Sequence, residues 1–222
     1  NISVQFKMSL QSLIDNPNEL LELIDSCLKP KQKEKQENGE VFTPMRLVFE
    51  MLENLDNHYI KEHGRSIFTE QSFKWFDPAS GMGNFPVAVY LKLMEGLKPQ
   101  IPNDEDRKKH IIENMLYMSE LNKKNVFICH KIFNINNQYN LNLYEGDTLK
   151  LCTTQEWGID KFDVILGNPP FNKDGIRSHT GKQLGKKNET TWPNFIEKSF
   201  GEWMKPDGFL AFINPLSWLK KS

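Results

Sequence analysis

The segment FDVILGNPPF, residues 162–171, ends a run of apolar, strand-favouring residues on Asn168, Pro169, Pro170 and Phe171. Two consecutive prolines remove two backbone donors and hold the intervening carbonyls in fixed directions. An ordinary strand end needs one turn residue, so this arrangement makes chemical sense when the carbonyls and the Asn168 amide face one particular ligand. Two further clusters follow other strand-like runs. In FDPASGMGNF, Asp77, Pro78, Gly81, Gly83, Asn84 and Phe85 lie between a strand and a helix, where glycines let the backbone approach a ligand closely. NMLYMSELN ends near Glu120, an acid suited to hold both hydroxyls of a ribose. LNLYEGDTL places Asp147 where it can accept a hydrogen bond from an exocyclic adenine amine. A dinucleotide fingerprint is incomplete, because its third glycine would fall on Pro86.

Positioning these residues requires alternating strands and helices. Strand-like runs fall near 73–77, 115–119, 141–145, 162–166 and 208–213, with crossover helices over 85–97, 122–133 and 193–205. The pattern predicts a doubly wound α/β core with a mostly parallel sheet, in which ligands collect outside the carboxyl ends of the strands. Upstream, residues 10–28 read as a short helical pair broken at Asn16-Pro17, followed by the polar linker KPKQKEKQENGE. The next helix has Thr43 as a candidate cap, Pro44 in its first turn, and Leu47, Val48, Met51, Leu52 and Leu55 on one face. These boundaries divide the chain into an N-terminal helical segment and linker, 1–38, and a core, 39–222.

Composition narrows the partners. With 222 residues the chain can bury one full core, and no apolar run approaches the roughly 20 residues of a membrane helix. Three scattered cysteines and five histidines show no metal-ligand spacing, so no metal is expected, and the cysteine usage fits a reducing, cytoplasmic compartment. The net charge of -1 lacks the basic excess of a protein that grips nucleic acid over a wide surface. Any nucleic-acid role must rest on a local basic surface or on a part outside this chain. The chain opens on Asn1 and stops at Ser222 directly after a strand-like run, which reads as a fragment continued by, or covered by, another element.

Taken together, GEVFTP at 39–44, DPASGMGNF at 77–85, EGD at 145–147, NPPF at 168–171 and the single residue Glu120 make the chain resemble the S-adenosylmethionine-dependent N6-adenine methyltransferases, especially the DNA enzymes of restriction-modification systems. The resemblance covers about residues 39–215 and implies a Rossmann-like class I core with a target-recognition domain after it. It places Phe42, Thr43 and Pro44 near the methionine end of the cofactor, Asp77 at its amino group, Gly81 and Gly83 against its methionyl portion, and Pro78, Asn84 and Phe85 among the cofactor-binding residues. Glu120 would bind the ribose, Asp147 the adenine amine, and Asn168 would border the cofactor as well as act on substrate. Met82 stands where the family often has a small residue.

That resemblance accounts for the two prolines. Adenine N6 is a poor nucleophile because its lone pair is delocalised into the ring, and two acceptors, the Asn168 side-chain oxygen and the Pro169 carbonyl, can draw it toward tetrahedral geometry. Phe171 offers a face on which an extruded base stacks. The following loop carries five basic residues, including Lys173 and Arg177, against two acidic ones, and is expected to touch phosphates of DNA. Trp192 is a candidate wall of the base pocket, with Phe195 and Phe200 in the core. Similar motifs serve glutamine-amide and RNA-adenine methyltransferases, and a binding-only fragment of a larger enzyme is the non-enzymatic alternative.

Overall fold

The computed structural model describes residues 43–171 and 191–215. The N-terminal helical pair, its linker, Phe42, Lys173 and Arg177 lie outside the described residues. Five strands, β1 (Trp75–Asp77), β2 (Leu116–Glu120), β3 (Asn142–Glu145), β4 (Phe162–Gly167) and β5 (Met204–Phe212), form one sheet in the order β3-β2-β1-β4-β5. Every pairing is parallel. The expected doubly wound α/β core is therefore observed. All residues of β4 are buried, as a central strand covered on both faces requires.

Helix α1 (Met45–His63) and α2 (Asn84–Gly96) pack on one face of the sheet, around Trp75, Met118, Val164 and Leu166. The N-terminal half of α2, Asn84 to Tyr90, is buried all round because the helix is wedged between sheet and α1. Helix α3 (Asp104–His110) leads through a widened π-type turn (Ile111–Met115) directly into β2. Its polar sequence DEDRKKH gave no apolar periodicity from which to expect it; an Asn103 cap and three acids in the first turn sustain it. Helix α4 (Lys123–Phe133) joins β2 to β3, and α5 (Thr153–Trp157) precedes β4. On the other face an aromatic cluster forms: Phe76 stacks on Phe162 at 4.6 Å and meets Trp203 edge-on at 5.4 Å.

Three boundaries differ from the sequence expectation. Helix α6 (Trp192–Lys198) passes into a π-type turn (Ser199–Trp203), which widens the coil and turns Trp203 into the core. Phe200 is consequently 61% exposed, whereas Phe195 is buried as expected. The helical run ends at Trp203, and β5 begins at Met204 rather than near 208. Phe162 pairs with Met204 but Val164 pairs with Phe209, so Lys205 to Gly208 bulge out of register. The proline in that bulge needs no ladder partner, and the Lys205 ammonium lies 2.7 Å from the buried Asp163 carboxylate. Finally, α1 starts one residue after Pro44 and has no side-chain cap: Thr43 does not cap it. Among the described residues β5 pairs only with β4 and stands at the sheet edge.

Close packing makes one glycine indispensable to this frame. A Cβ at Gly96, the last residue of α2, would lie 2.5 Å from the Phe68 carbonyl oxygen, a backbone atom that cannot swing away. Gly96→Ala is expected to destabilise the fold by about 1–3 kcal/mol in chemical denaturation. Gly201→Ala, where nothing lies within 4 Å, should lose nothing. Equal effects of the two substitutions would contradict the packing.

Candidate active site

The chain leaves β1 toward α2, β2 and β3, and leaves β4 toward β5 on the other side. The loops after β1 and β4 therefore diverge, opening a crevice at their carboxyl ends. Three segments far apart in sequence meet there. Thr43 is 7% exposed, and its carbonyl accepts a hydrogen bond from Asn84 Nδ2 at 2.8 Å. Its hydroxyl lies 3.1 Å from Asn168 Nδ2, which donates to it. The segment before α1, the N-terminus of α2 and the NPPF turn are thus joined through one threonine.

The glycine loop is held against β2 and α4. Gly81 and Gly83 take positive φ of 54° and 97°, conformations that other residues adopt only with strain. Glu120 anchors the loop: its Oε2 accepts from Gly81 N–H at 2.8 Å and its Oε1 from Asn122 N–H at 2.7 Å. Two backbone donors fix the carboxylate's direction, and an ionised carboxylate can accept about four hydrogen bonds. Cys129, fully buried on α4, donates its thiol to the Gly81 carbonyl at 3.4 Å, and burial pushes that thiol's pKa up, so it stays protonated. Gly146 N–H bonds the Glu120 carbonyl at 3.0 Å, which brings the end of β3 beside the end of β2. Asp147 Oδ1 accepts from Leu149 N–H at 3.1 Å and caps the short turn Thr148–Lys150, while its other oxygen lies 3.4 Å from Lys150 Nζ.

Asp77 is the electrostatic centre of the crevice. It is 3% exposed, with Oδ1 accepting from Ala79 N–H at 3.0 Å and Oδ2 buried with no hydrogen-bond partner among the described residues. Burial raises its pKa from 3.8 to about 8, the Ala79 N–H opposes the shift, and the Glu120 charge adds to it. Gly167 makes this burial possible, since a Cβ there would stand 2.6 Å from Asp77 Oδ1.

Past Asn168, Pro169 is buried and Pro170 exposed, and among the described residues the Pro169 carbonyl accepts no hydrogen bond. The Pro170 carbonyl accepts from the Thr191 hydroxyl at 3.0 Å, and the Phe171 carbonyl from Thr191 N–H at 3.2 Å. Phe171 and Trp192 are half-buried near this closure. Of the residues singled out from sequence, the structure brings Thr43, Asn84 and Asn168 together, and separately Gly81 and Glu120. Pro44 stands at the start of α1, and Pro78 is buried with its carbonyl accepting from Thr148 Oγ1 at 2.7 Å. Phe85 is 4% exposed and packs in the core. Sequence reasoning missed Leu121, 70% exposed beside Glu120, although an apolar residue directly after an acid at a strand end was legible. It also missed the buried Ser119–Thr148 hydroxyl pair at 2.6 Å, which only the β2–β3 register reveals.

The comparison with known proteins bears on this geometry. Residues 87–222 match the model of the Eco57I restriction-modification methylase family. The chain belongs to that family. It is 24% identical to an uncharacterized adenine-specific methylase of Mycoplasma pneumoniae, across 91% of this chain and 58% of that protein. A local match of 31% identity, across 43% of this chain and 23% of the relative, links it to the modification methylase CviBIII of Paramecium bursaria Chlorella virus NC1A. The DrdV–DNA complex shares the fold, with TM-score 0.59 and 18% identity over 88% of this chain and 22% of that one. The chain spans 58% of the length of its Mycoplasma relative.

The raised pKa of Asp77 has a measurable consequence. Unfolded, its carboxyl titrates near 3.8, and folded, near 8; between these values folding takes up a proton, so stability falls as pH rises through that window. Asp77→Asn removes this slope. The variant's melting temperature relative to the native chain should rise between about pH 5 and pH 8 and level off above. A variant that loses most stability at the alkaline end would show Asp77 to be ionised and partnered.

Proposed function

We propose that this chain transfers a methyl group from S-adenosylmethionine to the exocyclic N6 of adenine in DNA. The observation that supports this most strongly is the joining of Asn168, at the head of NPPF, to Thr43 and through it to Asn84 at the glycine loop. A turn built only to end a strand needs no such tie across 125 residues. Restriction-modification methylase membership and an adenine-specific relative support the same acceptor.

The residues present fit the cofactor. Asp77 offers a buried carboxyl oxygen that an ammonium group can satisfy, and Gly81 leaves open space where a side chain would project. Glu120 is oriented to receive a ribose diol, with Leu121 beside it as apolar cover for a base and Asp147 at the next strand end for an amine. S-adenosylmethionine, when bound, supplies an electrophilic methyl group on a sulfonium. The chain's own contribution is to hold the acceptor. Asn168 Oδ1 and the Pro169 carbonyl accept the two N–H groups of the amine, which localises its lone pair. Neither is a strong base, so the proton lost after transfer passes to solvent. Phe171 gives the extruded base a stacking face. With a net charge of -1, the chain lacks wide phosphate attraction, and we assign recognition of the DNA sequence to a further domain or partner subunit.

Calorimetry with S-adenosylmethionine, and transfer of its tritiated methyl group to plasmid DNA grown without adenine methylation, test the assignment. The native chain should bind the cofactor saturably and not bind nicotinamide dinucleotides. Glu120→Ala should weaken binding by about tenfold or more. Asn168→Ala should keep binding and lose transfer. Lost binding in Asn168→Ala together with full binding in Glu120→Ala would overturn the roles.

A further inference from the structure

We infer that Asn214 reads the ring edge of the target adenine, its carboxamide pairing with the amine and with the ring nitrogen beside it. This deepens the functional reading above and rests on it. Strand β5 runs parallel to β4, with Phe212 paired to Gly167, and the Ile213 N–H donates to the Gly167 carbonyl at 3.0 Å. Parallel neighbours stand about 4.8 Å apart. The Ile213 bond carries the pairing one residue beyond β5, so Asn214 follows directly beside the NPPF turn. The chain leaves both strands on the same dipeptide, Asn168-Pro169 and Asn214-Pro215.

The Asn214 oxygen lacks the local bond that such side chains make elsewhere in this fold. Asn103 caps α3, Asn122 caps α4, Asp147 caps a turn, and Asn134 holds the Tyr139 backbone through both ends of its amide. Asn214 is half-buried, yet its Oδ1 is shielded from solvent with no hydrogen-bond partner among the described residues. A shielded acceptor is unfavourable until something completes it, and Pro215, without an N–H, cannot. A carboxamide and the edge of adenine are complementary: Oδ1 accepts from the amine, and Nδ2 donates to the adjacent ring nitrogen, N7 or N1. One N–H can serve two acceptors in a three-centre bond, so Asn168 Oδ1 and the Pro169 carbonyl keep their roles. Guanine presents a carbonyl oxygen in place of the amine and gives Oδ1 nothing to accept. Capture of the planar base thus falls to Asn214, and drawing its amine out of plane to the NPPF turn.

The test uses the 222-residue chain and polymerase copies of one plasmid carrying adenine, 7-deazaadenine or 1-deazaadenine. The native chain should lose about tenfold or more in kcat/KM on one deaza copy, which identifies the ring nitrogen. Asn214→Leu should lose about as much on unmodified DNA and nothing further on that deaza copy, with its S-adenosylmethionine Kd within about twofold of native. The inference is overturned if the native chain transfers equally to all three copies, if Asn214→Leu is not slowed, or if the two losses multiply. If the native chain transfers no methyl group, the functional reading fails on its own; if Asn214→Leu does not bind the cofactor, that variant is misfolded. In either case the Asn214 side-chain amide, identified in a ¹⁵N spectrum by its loss in Asn214→Asp, decides. A shift on adding deoxyadenosine that is absent with one deaza analogue upholds the inference. An amide unmoved by deoxyadenosine, or moved alike by it and both analogues, overturns it.

Discussion

Gly167 lies so close to Asp77 that no side chain fits between them, and the crevice depends on that approach. Strands β1 and β4 are neighbours in the sheet, yet the chain departs from them in opposite directions. The end of β4 must turn away over the end of β1 without displacing the acid there. A residue without Cβ permits this and leaves the Asp77 carboxyl sealed at the base of the opening. Asn168 follows at once, so the acid and the amide share one wall as a direct result of strand order.

The sealed carboxyl is unfavourable for the isolated fold. One oxygen has a backbone donor and the other has none among the described residues, so the group is held neutral near pH 7 by burial. Glu120, at the end of the adjacent strand, is treated differently: both of its oxygens receive backbone N–H groups. Two acids at successive strand ends therefore differ in setting, one buried with its pKa raised to about 8, one oriented by two backbone donors. A cationic group entering the crevice would reverse the first condition and leave the second intact, which is the polarity expected of a site for a ligand with an ammonium end and a diol.

Much of this frame was legible. Strand positions followed from short apolar runs, and the acids stood out because they closed those runs. What was not legible has identifiable causes. Helix α3 is polar, so its capping Asn103 rather than a hydrophobic stripe specifies it. The π-type turn before β5 shifts the helical phase, exchanging Phe200 for Trp203 in the core, and local spacing cannot anticipate an inserted residue per turn. Thr43 looked like an ordinary cap because its real partner lies 125 residues away. Local propensity yields where a side chain serves a distant element, and such places are where function is most often found.

The two acceptors attributed to the NPPF turn illustrate two ways of fixing a direction. Pro169 is constrained by covalent geometry: the proline that follows restricts its backbone to extended conformations, so its carbonyl has little freedom to lose. Asn168 has a rotatable side chain, and one of the non-covalent ties on it is the hydrogen bond to Thr43, with the α2 N-terminus behind that residue. The first device is insensitive to its surroundings. The second requires the segment before α1 and the N-terminus of α2 to be in place. The orientation of the Asn168 amide is thereby linked, through Thr43, to the assembly of the neighbouring α2 N-terminus.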